Sequence, residues 1–234
     1  MIVRRWSIAA KLGCAIGGSV VAAVAAATLA NAYLSGHIVQ RAAERELQTA
    51  QAFFEASIDA EADRALLLAD SLERNPDIAA RFAAGDRGEL ARVLVPAFAA
   101  LKGPYALSQL QFHLPPATSF FRAHLPEKFG DDLSSLRPML VTALADRKPM
   151  AGLEYGVAGY GLRGIVPVVH DGAFVGTFEI GFDLDATLLE SFKAAQGNDI
   201  SLFIYTPDSE DGTLFSPYVS TLEEPFAIAD ATSS

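Results

Sequence analysis

The chain has 234 residues, a net charge of −10 and 51% hydrophobic residues. That length and apolar share allow one or two domains with a real core and exclude a disordered or fibrous chain. The acidic balance argues against nucleic acid as a partner, since phosphate binding needs a basic footprint, and the lone Cys14 excludes a disulfide framework, a CxxC redox pair and covalent haem.

Leu12 to Leu34 is a 23-residue stretch without a charged residue. As a helix it spans roughly 35 Å at ~1.5 Å per residue, against a bilayer core of about 30 Å. Arg4, Arg5 and Lys11 flank its start, which predicts a cytoplasmic N-terminus of residues 1–11. Removing those three positive charges from the total of −10 leaves −13 outside. A cleaved signal peptide is the alternative, with Ala30-Asn31-Ala32 as a small-residue cleavage pattern. The apolar run is longer than a usual signal core, and the helical pattern continues past Tyr33. The Ala and Gly content permits close helix packing, as in a homodimer.

Residues 35–74 continue as an amphipathic helix, with Leu47, Ala50, Phe54, Ile58, Ala62, Ala65, Ala69 and Leu72 at helical spacing. Asn75-Pro76 stops it and starts a second helix. Gly85 ends that one, Asp86 with Glu89 starts a third, and Gly103-Pro104 ends the third, so short helices fill 76–102.

The sheet is expected over 105–206. Leu110, Phe112 and Leu114 alternate with Gln109, Gln111 and His113, the period of a strand with two different faces. Pro115-Pro116 ends that arm. In the second arm Phe121, Ala123 and Leu125 share one face and Phe120, Arg122 and His124 the other. One face of the hairpin thus gathers two glutamines, two histidines and an arginine. A helix capped by Asp131 or Asp132 runs to about Asp146. Strands follow at Met150–Gly156, Gly161–His170 and Ala173–Leu184, the last two joined by the tight-turn signal His170-Asp171-Gly172. A helix from about Asp185 to Gln196 and a strand at Ile200–Thr206 complete the order. Antiparallel hairpins with helices against one face predict an α+β domain. The tail from Pro207 reads as irregular.

Three stretches, FHLPPATSFFRAHLPEKFGDDLSSLR, GLEYGVAGYGLRGIVPVVHDG and VGTFEIGFDLDATLLESF, resemble the double-Cache sensor region of bacterial chemoreceptors and sensor kinases. The likeness covers about Gln40 to Thr221. It implies a PAS-like sheet behind a long membrane-proximal helix, in an inner-membrane protein whose sensor domain, 35–206, is periplasmic. Such proteins continue to a second lobe, a second membrane helix and a signalling module. This chain stops at Ser234, so a fragment is expected, with STLEEPF in 207–234 as the entry to the second lobe.

The resemblance also implies a small ligand between the sheet and a crossing segment, here Pro126 to Pro138. Arg122 and Arg163 are the candidates to grip a carboxylate, because a guanidinium matches its two oxygens. Arg163 lies in an otherwise apolar strand, where a charge must be paired or solvated; pairing with Glu154 or Glu179 is the alternative. Gln111, His113 and His124 share the polar face, Tyr160 and Tyr155 would wall the pocket, and Glu154 and Glu179 would suit an amine. Catalysis is not expected, for there is no HExxH, GxSxG or P-loop, and no cofactor is implied. The rival readings are a metal sensor using His113, His124 and Glu179, and a membrane-anchored protein-interaction module. The expected output is that of a chemoreceptor, with a histidine kinase or a diguanylate cyclase as the alternative.

Overall fold

The computed structural model describes residues 7–205 and 215–223. The chain divides into two units, Met1–Phe53 and Phe54–Ser234. The helix α1 (Ile8–Glu73) contributes to both. In the first unit its side chains from Gly17 to Thr49 are exposed. Among the described residues it is the one helix long and apolar enough to cross a membrane.

In the second unit α1 buries Ala62, Ala65 and Ala69. Next come α2 (Pro76–Ala83) and α3 (Arg87–Tyr105). The Asn75 side chain accepts from the Asp77 N–H and Asp86 from the Glu89 N–H, both at 3.0 Å, which satisfies N–H groups that a first turn otherwise leaves orphaned. Gly103-Pro104, expected to end α3, sits inside its last turn; the left-handed Ala106 (φ 55°) ends it instead.

Five strands form one antiparallel sheet: β1 (Gln109–Leu114), β2 (Thr118–Arg122), β3 (Met150–Gly156), β4 (Gly159–His170) and β5 (Ala173–Asp183), in the order β2-β1-β5-β4-β3. The turn between β4 and β5 has φ of 50° at Asp171 and 78° at Gly172, the positive pair that a two-residue hairpin of this twist requires. One sheet face carries Leu110, Phe112, Leu162, Phe178, Ile180 and Phe182 and packs with Ala65, Ala69, Ile78, Phe82, Leu90 and Leu94 of the three helices. Here α1 lies directly on β4. A methyl group added at Gly164 would come 2.1 Å from the Leu66 backbone nitrogen.

A bulge between Phe112 and His113 pairs them with Phe121 and Ser119 and leaves Phe120 over. The extra residue changes the alternation. Phe120 does not share the polar face with Arg122, as strict alternation predicts. Its ring packs on Phe82 at 5.1 Å, within the helix-side cluster. β2 also stops at Arg122, so Ala123, His124 and Leu125 belong to the turn that follows rather than to a strand.

The helix α4 (Pro138–Asp146) starts later than expected. Asp132 does not cap it but accepts from the Ser134 N–H at 2.9 Å, in a turn of the covering segment. Leu140, Ala143 and Leu144 pack with Ala117, Leu133 and Ile165 as a second, smaller core on the far side of the sheet. Then come α5 (Ala186–Gln196), capped by Asp185, and a two-stranded sheet of β6 (Ser201–Tyr205) and β7 (Phe215–Ser220). β7 corrects the expectation that the tail is irregular. The remaining tail residues, 206–214 and 224–234, lie outside the described ones.

Candidate functional site

The register brings the polar side chains of four strands, β1, β2, β4 and β5, onto one face. Gln111 stands between Arg122 on β2 and Glu179 on β5, and Gln109 pairs with Gly181, itself opposite Arg163 of β4. The covering segment closes over this face, so the polar row is buried rather than solvated. Gln111, His113, Arg122, Glu154, Arg163 and Glu179 are all buried.

Buried charges persist only when paired and hydrogen-bonded, and here they pair with one another. Glu179 Oε1 accepts from Gln111 Nε2 and from Arg163 Nη1, both at 2.8 Å, while Oε2 accepts from Arg137 Nη2 at 2.7 Å. Arg137 Nε donates to Glu154 Oε2 at 2.5 Å. The other oxygen of Glu154 accepts from the Met139 N–H at 2.6 Å. Glu154 of β3 thereby caps α4, which its own preceding residue, Arg137, leaves without a side-chain cap. Arg163 Nη1 also donates to Gln109 Oε1 at 2.6 Å. Its guanidinium has room because Gly156 and Gly161 lack side chains: a methyl at either would come within 2.6 and 3.3 Å of Nη2.

The electrostatics follow from this packing. Burial alone would raise the Glu179 carboxyl, but the guanidinium groups of Arg137 and Arg163 outweigh it and hold the group below the usual carboxylate range. Burial opposes the charge on Arg137, and Glu179 and Glu154 more than restore it. Burial, with Arg137, Arg122 and Arg163 on the same side and Glu179 against them, pushes His113 down to about 3. His113 is therefore neutral at neutral pH. Its Nε2 lies 3.9 Å from Glu179 Oε2 without a hydrogen bond, and its Nδ1 is 3.4 Å from Thr177 Oγ1.

Beside this network a cavity of about 130 Å³ opens, lined by Gln109, Gln111, Arg122, His124, Leu125, Lys128, Leu133, Arg137, Val157, Ala158 and Arg163. Arg122 Nη1 is tied to Asp131 Oδ2 at 2.7 Å and to the Lys128 carbonyl at 2.9 Å. Four cationic side chains line the space and no carboxylate does. Of the residues singled out in the sequence, Gln111, Arg122, His124 and Arg163 reach this wall. Glu154, Glu179 and His113 stand behind it as partners of the arginines or of one another. Tyr160 is elsewhere: its N–H donates to Tyr218 Oη at 3.0 Å, and it stacks edge-on with Tyr155 and Tyr218, beside a separate apolar cavity with Phe54 and Ile58.

Arg137 was missed by pattern reading. The available signal was a charge deficit: two carboxylates on buried strands, Glu154 and Glu179, with Arg163 as the one strand arginine near them. Among the described residues no three His, Cys, Asp or Glu side chains stand close enough to hold a metal ion.

Residues 40–225 match the double-Cache family described as "Double sensory domain of two-component sensor kinase". The chain belongs to this double-Cache family. The antiparallel sheet behind a long N-terminal helix is the Cache, or PAS-like, fold. Among solved structures, the Cache chain is similar to the sensory domain of the Campylobacter jejuni chemoreceptor Tlp3 with isoleucine bound, at 11% identity and a TM-score of 0.45, over 74% of this chain and 67% of that one. It is also similar to the periplasmic domain of Vibrio cholerae LuxQ, at 14% identity and a TM-score of 0.44, over 78% of this chain and 80% of that one. Among curated proteins no sequence matches it.

Proposed function

We propose that the chain is the extracytoplasmic ligand-binding region of a membrane receptor, anchored by the apolar part of α1 with residues 1–11 in the cytoplasm, and that it recognises a small carboxylate. The observation that carries this is the cavity of about 130 Å³ walled by Arg122, Lys128, Arg137 and Arg163 with no lining carboxylate. Arginine edges match carboxylate oxygens, and a low-dielectric site strengthens the pairing. The family description supports a two-component kinase as the output, where the sequence alone leaned towards a chemoreceptor.

A ligand acts by stabilising one arrangement over another, and the shift is limited by its difference in affinity for the two. Arg122 and Arg137 tie the covering segment to the sheet, so an anion between them favours the closed cover. What supports a relay to α1 is the neighbour of Arg163. Arg163 lines the cavity, and Gly164, next along β4, has the α1 backbone on its other face with no side chain between. A displacement of β4 at the ligand then meets the helix directly.

A thermal-shift screen of the full chain in nanodiscs tests the proposal. Small mono- and dicarboxylates are expected to raise the midpoint by several degrees, since a ligand at about 100 times its Kd stabilises by ~2.7 kcal/mol. Shifts with small amines and none with carboxylates would overturn it.

A further inference from the structure

We infer that Tyr218 is a positioning residue of the ligand site: its hydroxyl holds the tip of the β3–β4 hairpin in place as a wall of the cavity, so that occupancy of the cavity is felt in β7. The inference rests on the carboxylate reading above. The hairpin turns at Val157 and Ala158, between the paired Gly156 and Gly159. Both turn residues line the cavity. The Arg163 guanidinium lies against the same hairpin. Its Nη2 sits 2.6 Å from where a methyl on Gly156 would be, and its Nε donates to the Glu154 carbonyl at 3.4 Å. A shift of the tip therefore alters the cavity wall and the seat of an arginine that lines it.

β5 does not reach this tip. Its pairing with β4 starts at Gly161, opposite Asp183. The Tyr160 carbonyl still accepts from the Leu184 N–H at 3.2 Å, but the Tyr160 N–H lies beyond the ladder and donates to Tyr218 Oη at 3.0 Å. A backbone donor that its own sheet leaves over needs another acceptor, and a side chain of the β6–β7 sheet supplies it. The Tyr160 and Tyr218 rings also meet edge-on, with centroids 5.4 Å apart. Gly159 completes the fit. Its φ is 104°, and a methyl there would come 2.9 Å from Tyr218 Oη. Only glycine adopts that backbone without strain and leaves the hydroxyl its space.

The coupling follows from populations. A site whose binding-competent form is populated for part of the time binds more weakly by that fraction. One hydrogen bond is worth roughly a factor of five in such a population. Linkage makes the effect reciprocal: a ligand that favours the placed tip also favours the bond from Tyr160 to Tyr218.

Lactate serves as the carboxylate probe, since its roughly six heavy atoms match those of benzene, which a cavity of about 150 Å³ accommodates. Two measurements on the full chain in nanodiscs test the inference. By NMR, lactate should slow hydrogen exchange at the Tyr160 amide of the wild type. By isothermal titration, Tyr218→Phe, which removes only the hydroxyl, should bind lactate several-fold and up to about fivefold more weakly. Tyr205→Phe, on β6 where the ring packs on Phe215 at 5.1 Å, should bind as the wild type does. A hydroxyl that served stability alone would lower the denaturation midpoint and leave the Kd unchanged. An unchanged Kd in Tyr218→Phe therefore overturns the inference and leaves the carboxylate reading standing. Lactate binding that leaves the Tyr160 exchange rate unaltered does the same, and this measurement serves if the variant fails to fold. No binding by the wild type overturns both readings.

Discussion

The two faces of the five-stranded sheet are made of alternate residues of the same strands, yet different forces hold them. On the helix side Phe112, Phe178 and Ile180 are wholly buried among other apolar side chains, and area removed from water stabilises that face at about 25 cal/mol per Å². On the other side Gln111, Arg163 and Glu179 are just as buried, but as a network of charges. Desolvation offsets most of what such pairs gain, so a buried network adds little net stability although breaking it is costly. One face is built for cohesion, the other for holding polar groups at fixed positions around a cavity.

Mutations that separate the two faces should show this contrast. Phe112→Ala is expected to destabilise by about 3–5 kcal/mol, measured by chemical denaturation, with carboxylate binding kept in the folded fraction. Glu179→Ala should cost a similar ~3–5 kcal/mol, because it leaves Arg137 and Arg163 buried without a shared partner. The faces then part company in a combined variant. Replacing Arg137, Glu154, Arg163 and Glu179 together by Met and Leu should recover most of that loss and abolish carboxylate binding. No comparable recovery is expected from any polar replacement of the Phe112 cluster.

The cavity face should also respond to acid where the apolar face does not. His113 takes a proton near 6.5 when unfolded but only at about 3 in the folded chain. The unfolded state therefore binds more protons between those values. Stability from this group is complete above 6.5 and falls as pH drops towards 3. Between about pH 8 and about pH 4.5 the loss should be roughly 2–3 kcal/mol, read from denaturation midpoints, and His113→Gln should flatten it. Glu179, whose carboxyl is lowered on folding, adds a loss in the same direction below the ordinary carboxylate range. The smallest effect lies at the edge of the apolar layer. Asn75→Ala removes the α2 cap at a cost of about 1 kcal/mol, with ligand affinity unchanged.

Local chemistry was the legible part. The alternation of Gln109, Gln111 and His113 with Leu110 and Phe112 marked the two faces of β1, and Asp171-Gly172 marked the turn between β4 and β5, because each signal lies within a few neighbouring residues. The face of Phe120 was not legible. A bulge shows itself only through pairing with another strand, and Phe120 is apolar on either side. Arg137 escaped for a related reason: its partners Glu154 and Glu179 lie on β3 and β5, and nothing beside it in sequence shows that they converge. β7 was masked by Pro217 and the serines around it, which weaken a strand signal that only pairing with β6 completes.

The most direct test follows the arginine side chains themselves. The full chain in nanodiscs, with 15N-labelled arginine and resonances assigned by Arg→Lys variants, would be titrated with lactate. Saturable shifts of the Arg122 Nε–H, with Arg137 and Arg163 responding at the same ligand concentrations, are the predicted result. Binding that leaves all three unmoved, or that shifts only arginines remote from the cavity such as Arg74, would contradict the account.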